Sequence, residues 1–149
     1  MEKLMVTLGF IEFPPTHTGD GGNASPPIRL ANLKSPYLAV FALNPFEPGC
    51  SFCSWVAWDI PAIHQIPAGF PTQAEITTPI QAKQGLNDYG DIGYRGPAPP
   101  AGETYRILFK VYGLDAPLDC PPGANKHAVI DAMRGHVLQY GQTEALVQR

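Results

Sequence analysis

Two cysteines three positions apart are the first residues of this chain that could carry chemistry. Cys50 and Cys53 form a C-x-x-C pair, which is the spacing of redox-active dithiols and of half a zinc site. A zinc site would need two more ligands, from Cys120 or the four histidines. An odd total of three cysteines is typical of a reducing compartment. We expect buried free thiols, with a redox pair and a metal site left open as alternatives.

The four histidines lack the spacing of a metal site. His64 stands in a proline-flanked loop and His17 in an early polar loop, so we expect both at the surface. His136 follows a glycine near the end of a predicted helix, where an imidazolium is favoured by the helix dipole. The chain also lacks H-E-x-x-H, G-x-S-x-G and a nucleotide-hydrolysing phosphate loop. We therefore predict no enzyme, no catalytic residue, no metal site and no cofactor.

The charge and hydropathy of the chain limit the classes of partner that we expect. The net charge is −3, and the ten basic residues are scattered from Lys3 to Arg149. A nucleic-acid binder needs a basic patch to neutralise phosphates, so nucleic acid is excluded as an expected partner. No stretch approaches the roughly 18 apolar residues of a membrane helix, and the acidic start Met1-Glu2 is unlike a signal peptide. We expect a cytoplasmic protein without a transmembrane segment.

The elements that must position any site are short strands. A length of 149 residues predicts one domain over residues 1–149. The 17 prolines and 15 glycines lie between apolar runs, which is typical of turns between strands. The strands are predicted at residues 4–13, 37–43, 52–60, 105–111 and 143–147, the fourth with clear alternation. Residues 61–100 are dominated by loops, and loops of that length are usually functional or held by their own packing.

One helix is predicted near the C-terminus. Asn125 can cap it, and Val129, Met133 and Val137 recur every four residues, with Ile130 alongside. The Asn44-Pro45 bond is a candidate for a cis peptide, since turns tolerate cis X-Pro bonds. The fold class is therefore mainly β and sandwich-like, with one C-terminal helix.

Four stretches together carry a resemblance to a known family. They are F-P-P-T-H-T-G-D-G-G-N-A-S-P-P-I at 13–28, the run from Tyr37 through N-P-F-E-P at 44–48 to Trp55 and I-P at 60–61, Q-G-L-N-D-Y-G with I-G-Y-R-G-P-A-P-P-A-G at 84–102, and P-P-G-A with A-M-R-G-H-V-L at 121–138. In this order they resemble the signatures of the phosphatidylethanolamine-binding protein family, which is Raf kinase inhibitor protein-like, in its bacterial and archaeal branch. The resemblance covers nearly the whole chain.

The resemblance implies a large central antiparallel sheet packed on a smaller sheet, with a C-terminal helix. It also implies a pocket for phosphate-like anions and phospholipid head groups. Here that pocket is rewritten, because Asn44 and Phe46 occupy the positions of two family aspartates. Ser54 and Tyr105 occupy the positions of two family histidines.

The residues that match the family's pocket lie in the glycine- and proline-rich loop of the third stretch, whereas the residues that differ form the walls of the pocket. A cleft lined by Phe46, Trp55 and Tyr105 would be uncharged and would favour apolar or aromatic groups over bare phosphate. Arg95 is expected to point to water. The predicted ligand-binding residues are Asn44, Phe46, Ser54, Trp55, Tyr94, Gly96, Pro97, Pro99 and Tyr105.

Two functions follow from the resemblance and a third from the C-x-x-C pair. The first is a non-catalytic ligand-binding module for a small anion, a phospholipid head group or another small ligand. The alternative is a protein-interaction regulator of the kinase-inhibitor type with a degenerate pocket. A homodimer is a further partner that the resemblance allows. The third, an enzyme or redox protein centred on Cys50 and Cys53, is the least favoured.

Overall fold

The computed structural model describes residues 1–47 and 50–148, except for the side chains at positions 46, 47 and 50. The elements of this part of the chain are β1 (Glu2–Lys3), β2 (Met5–Thr7), a 3₁₀ turn (Pro15–His17), β3 (Ile28–Ala31), β4 (Tyr37–Glu47), β5 (Cys50–Pro61), β6 (Gln65–Ile66), β7 (Glu75–Ile76), β8 (Ala82–Gln84), β9 (Thr104–Leu114), α1 (Lys126–Met133) and β10 (Val137–Gln148).

The strands form two sheets. The large sheet has the order β1-β10-β9-β4-β5-β8-β7, and the small sheet has the order β2-β3-β6. Strand β1 runs parallel to β10, whereas the other paired strands are antiparallel. The predicted mainly β fold with a large sheet, a smaller sheet and one helix is thus confirmed, and the short β1 makes the large sheet mixed.

Alternation along the strands sends apolar side chains to both faces of the large sheet. The face toward the small sheet, called the inner face, packs Leu38, Val40, Ala42, Trp55, Ile107, Phe109 and Val111 against Val6, Ile28, Leu30 and Ile66. The outer face packs Phe41, Val56 and Trp58 against Val129 and Met133 of α1. Burial of each large apolar side chain contributes about 1.5–3 kcal/mol to folding, so both faces hold the layers together.

The predicted helix begins correctly and ends earlier than expected. The Asn125 side chain caps α1 by accepting a hydrogen bond from the Ala128 N–H at 3.0 Å. The prediction that Val137 belongs to this helix is wrong. Gly135 adopts a φ of 80°, which glycine tolerates and which turns the chain out of the helix. Val137 instead starts β10, so the predicted strand at 143–147 is only the second half of a longer one.

The predicted strand at residues 4–13 is also wrong in extent. The only regular strand in this segment is β2, and different parts of the segment form hydrogen bonds with different sheets. Leu4 donates its N–H to Tyr140 O at 2.9 Å, and Phe13 donates its N–H to Leu146 O at 2.8 Å. Both contacts are with β10 of the large sheet, whereas β2 between them belongs to the small sheet. An apolar run that changes sheets cannot be told from one strand by composition.

Two further observations complete the fold. The cis peptide bond in the described chain joins Thr78 to Pro79, so the candidate Asn44-Pro45 was the wrong choice. No helix in residues 1–47 and 50–148 is long and apolar enough to cross a membrane.

Candidate functional site

The ends of β4 and β9 bring two of the predicted site residues to one place. Asn44 follows Ala42 by two residues and Tyr105 precedes Ile107 by two, so both side chains fall on the inner face. The two strands are neighbours, with Leu43 opposite Leu108. Asn44 is buried and Tyr105 half-buried. The alternation of β-strands thus places an amide and a phenol at the same edge of the sandwich.

A hollow opens at this edge, and we call it the β4–β9 hollow. Its volume is about 440 Å³, and its lining residues come from β4, β9 and β10 and the turn before β9: Asn44, Pro45, Glu103, Thr104, Tyr105, Arg106 and Leu146. The Arg106 side chain is 63% exposed, and its Nε lies 3.6 Å from Glu144 Oε1. Glu103 and Arg106 give the lining one negative and one positive charge. The expectation of a wholly uncharged cleft is therefore corrected at its rim.

Ser54 lies close to the hollow's strands but does not line it. It is 5% exposed, and its hydroxyl donates a hydrogen bond to Ala42 O at 3.3 Å. The register of β4 against β5 shifts between Ala42 and Leu43, and Ser54 is the extra residue on β5. Its hydroxyl therefore supplies a hydrogen bond to a backbone carbonyl at the point where the regular pairing of the two strands is interrupted.

Trp55, predicted to bind ligand, is part of the core and does not line the hollow. It is fully buried, and its indole N–H donates to Gln84 Oε1 at 2.8 Å. The Gln84 amide in turn donates to Pro71 O and Gln73 O at 2.6 and 2.9 Å. This buried network ties the 71–73 segment to β5. The other predicted aromatic wall, the side chain of Phe46, lies outside the described residues.

The loop residues that match the family signature form a clasp between two loops. The clasp joins residues 94–97 to residues 17–23. The Tyr94 hydroxyl donates to His17 O at 2.7 Å, the Gly96 N–H donates to Asn23 Oδ1 at 2.7 Å, and the Gly19 N–H donates to Pro97 O at 2.9 Å. Burial raises the pKa of Tyr94 well above its usual range, so its phenol stays neutral and remains a donor.

The clasp needs a glycine at position 96. A Cβ added there would lie 2.2 Å from His17 O and 2.8 Å from Gly19 N, closer than van der Waals contact permits. Tyr94, Gly96, Pro97 and Pro99 are all buried. None of these four predicted ligand-binding residues lines the hollow. The Tyr94 hydroxyl, the Gly96 N–H and the Pro97 carbonyl oxygen are used within the clasp.

The expected surface position of His17 is wrong. It is 7% exposed, its Nδ1–H donates to Ala24 O at 2.7 Å, and its ring stacks on Phe10 with 5.5 Å between centroids. His64 is exposed, as predicted. Arg95 is exposed, as predicted; it pairs with Asp91 at 3.2 Å and lies 4.3 Å over the Tyr89 ring.

The Cys53 thiol is not suited to redox or nucleophilic chemistry. It is fully buried, and it donates to Trp55 O at 3.3 Å. Burial raises the pKa of Cys53 to about 11, so the reactive thiolate is scarce at neutral pH. The side chain of Cys50 lies outside the described residues. Within the described chain, no group of three His, Cys, Asp or Glu side chains could hold a metal ion.

Sequence reasoning missed the charged rim and the clasp partner. Glu103 and Arg106 stand beside Tyr105 in the sequence, so extending the candidate set along β9 would have found them. Asn23 lies inside the quoted G-G-N-A-S-P-P motif, and its φ of 53° fits the left-handed region that asparagine tolerates. Its role as acceptor for Gly96 depends on a contact between residues 73 positions apart, which no local pattern reveals.

Because the clasp leaves no room for a side chain at Gly96, we expect one added methyl group there to lower the stability of the protein. Gly96→Ala should lower the free energy of unfolding by about 1–3 kcal/mol, because backbone atoms of the opposite loop must move. The matched control is Gly9→Ala, where an added Cβ meets nothing within 4 Å, and we expect little change. Urea unfolding of both variants measures the difference. Equal stability of Gly96→Ala and the unaltered chain would contradict the clasp.

Comparisons with known proteins match this architecture. The family model described as phosphatidylethanolamine-binding protein matches residues 7–148. A UPF0098 protein of Pyrococcus horikoshii is 40% identical, covering 99% of this chain and 76% of the relative. A UPF0098 protein of Methanothermobacter thermautotrophicus is 37% identical over 91% of this chain and 90% of the relative.

Two solved structures share the fold at low identity. YbcL of Escherichia coli, described as a new member of the mammalian PEBP family, superposes with a TM-score of 0.84 at 22% identity, covering 99% of each chain. A putative phosphatidylethanolamine-binding protein homologue from Chlamydia trachomatis gives 0.83 at 22% identity, covering 100% of this chain and 99% of the other. Together with the family match over nearly the whole chain, these findings establish that the chain belongs to the phosphatidylethanolamine-binding protein family.

Proposed function

We propose that this protein is a non-catalytic module that binds a small ligand in the β4–β9 hollow. The proposal depends on one observation: Asn44 of β4 and Tyr105 of β9 open onto the same space of about 440 Å³. That volume lies within the usual range for small-molecule sites. Membership of the family supports a ligand-binding or regulatory module, and the hollow is where we expect the ligand.

The lining favours a small anion or a head group that carries charges of both signs. Asn44 offers amide N–H donors, Tyr105 a hydroxyl, and Arg106 a guanidinium whose fork matches phosphate or carboxylate oxygens. Glu103 offers a carboxylate to an amine. Since Arg106 is largely exposed, solvent and salt screen its charge, so we expect modest affinity that falls as ionic strength rises.

The same lining supports a binding role in preference to catalysis. Nucleophilic or general acid–base catalysis needs a reactive group beside a base poised near neutral pH. An asparagine and a tyrosine do not form such a pair. We include a cytoplasmic location in the proposal, supported by the free thiols of Cys53 and Cys120 and the typical absence of disulfides in reducing compartments.

Removing the Tyr105 hydroxyl tests the site. Tyr105→Phe should weaken binding of phenyl sulfate or phosphoethanolamine by about tenfold or more, because a hydrogen bond to a charged group contributes about 1.5–3 kcal/mol. Tyr112→Phe is the matched control, since Tyr112 packs against Phe41 on the outer face. Isothermal titration calorimetry supplies the affinities. Equal losses in the two variants, or no binding by the unaltered chain at millimolar ligand, would reject the hollow as the site.

Restoring an imidazole should restore pH sensitivity. The unaltered chain is expected to bind phenyl sulfate with nearly constant affinity between about pH 6 and 8, because the residues that line the hollow include no histidine. In Tyr105→His, an imidazole with an ordinary pKa near 6.5 becomes cationic as pH falls, so affinity should rise toward pH 6. Titrations at three pH values check both statements. A pH-dependent unaltered chain, or a pH-independent variant, would oppose the proposal.

A second candidate function, a protein-interaction regulator, is favoured by the outer face. There Leu43, Tyr112 and Ile130 border a shallow depression of about 220 Å³ flanked by Lys110 and Lys126. Ile130 is 43% exposed, and apolar surface of this kind is common at protein contacts.

A homodimer is the partner most easily tested. Light scattering should give twice the chain mass of 16.1 kDa, with Ile130→Glu returning one chain mass; a monomeric unaltered chain would exclude this form of the candidate.

A further inference from the structure

A second cavity lies at the opposite end of β4 and β5 from the β4–β9 hollow. It has a volume of about 390 Å³, with walls from the first residue of β4, the end of β5 and the short strands β7 and β8. Tyr37 in its wall is seven strand residues, roughly 23 Å, from Asn44. We call it the proline-rimmed cavity, because Pro36, Pro61 and Pro117 contribute to its lining.

The Asp59 carboxylate in the lining of this cavity is held in place by contacts with two other segments. Asp59 Oδ2 lies 3.1 Å from Lys83 Nζ, and Asp59 Oδ1 accepts the Leu118 N–H at 2.8 Å. The Asp59 side chain is only 11% exposed. Its backbone has a φ of 55° where the register of β4 against β5 shifts. A carboxylate fixed in this way needs little reordering when a ligand binds.

The cavity is net negative. Glu75 lies opposite Lys83 on the neighbouring strand, is exposed, and forms no salt bridge with any described residue. Two carboxylates and one ammonium leave an excess of one negative charge.

The rim disfavours anions and accommodates an apolar body. Proline has no backbone N–H, so the three rim prolines offer no amide donor to an anion. Tyr37 adds an aromatic ring, whose face attracts cations. A cation therefore meets the Glu75 carboxylate and the Tyr37 ring, whereas the one cationic group in the lining that could attract an anion, the Lys83 ammonium, is already paired with Asp59.

We propose that the proline-rimmed cavity binds a small organic cation: an alkylammonium or arylalkylammonium group whose nitrogen pairs with Glu75 and whose apolar part packs on Tyr37 and the prolines. This site is independent of the β4–β9 hollow. It would give the protein a second ligand of opposite charge preference from the first.

The test uses three probes of similar shape and different charge on the full chain. Benzylammonium, benzyl alcohol and benzoate are titrated while amide NMR shifts are followed at Tyr37, Asp59, Ala82 and Lys83. We expect saturable shifts with benzylammonium, weaker ones with benzyl alcohol and the weakest with benzoate. Binding of benzoate as tight as that of benzylammonium, or an absence of saturable shifts at these amides, would overturn the proposal.

Two glutamate variants separate this site from the hollow. Glu75→Gln should weaken benzylammonium binding about two- to fivefold, the effect of losing one exposed ion pair. Glu103→Gln, in the lining of the other site, should leave the benzylammonium affinity measured from the amide shifts of the proline-rimmed cavity unchanged. Both residues are exposed, so we expect both variants to fold. If Glu103→Gln weakened benzylammonium binding and Glu75→Gln did not, the cation would bind in the hollow, and the assignment to the proline-rimmed cavity would be wrong.

Discussion

The close approach of two loop backbones, at Gly19 and Gly96, is the constraint on which the site end of this protein depends. Three hydrogen bonds join residues 94–97 to residues 17–23, and a side chain at position 96 would collide with His17 O. Tyr94 then meets Trp55 edge to face, with 5.7 Å between ring centroids. The clasp thus continues into the core, and it fixes the loops at the edge of the sandwich.

The clasp and the hollow are built from different residues. The glycine and proline loop is buried and its polar groups are bonded within the protein, so it maintains the fold of that edge. The hollow is lined by different residues, at the ends of β4, β9 and β10. Asn44 and Tyr105 therefore line the hollow without taking part in the hydrogen bonds of the clasp.

Strand and turn patterns predicted much of the fold. The apolar runs of β4 and β5, the alternation of β9 and the helix-capping residue Asn125 are local signals, and the structure has elements at each. The errors arose where tertiary context decides: residues 4–13 contact both sheets, and Gly135 ends α1 before Val137. Candidate-site prediction brought Asn44 and Tyr105 together, whereas Trp55 and Tyr94 are core residues, since a sequence motif does not reveal which of its side chains other parts of the fold will cover.

A crystal structure of the protein with phenyl sulfate would show directly whether the ligand binds in the hollow. We predict ligand density in the β4–β9 hollow, with sulfate oxygens within hydrogen-bonding distance of the Asn44 amide and the Tyr105 hydroxyl, and an unchanged hydrogen bond from Gly96 N–H to Asn23. Density against Tyr94 and Gly96 with the clasp opened, or a hollow left empty by a ligand bound elsewhere, would contradict it.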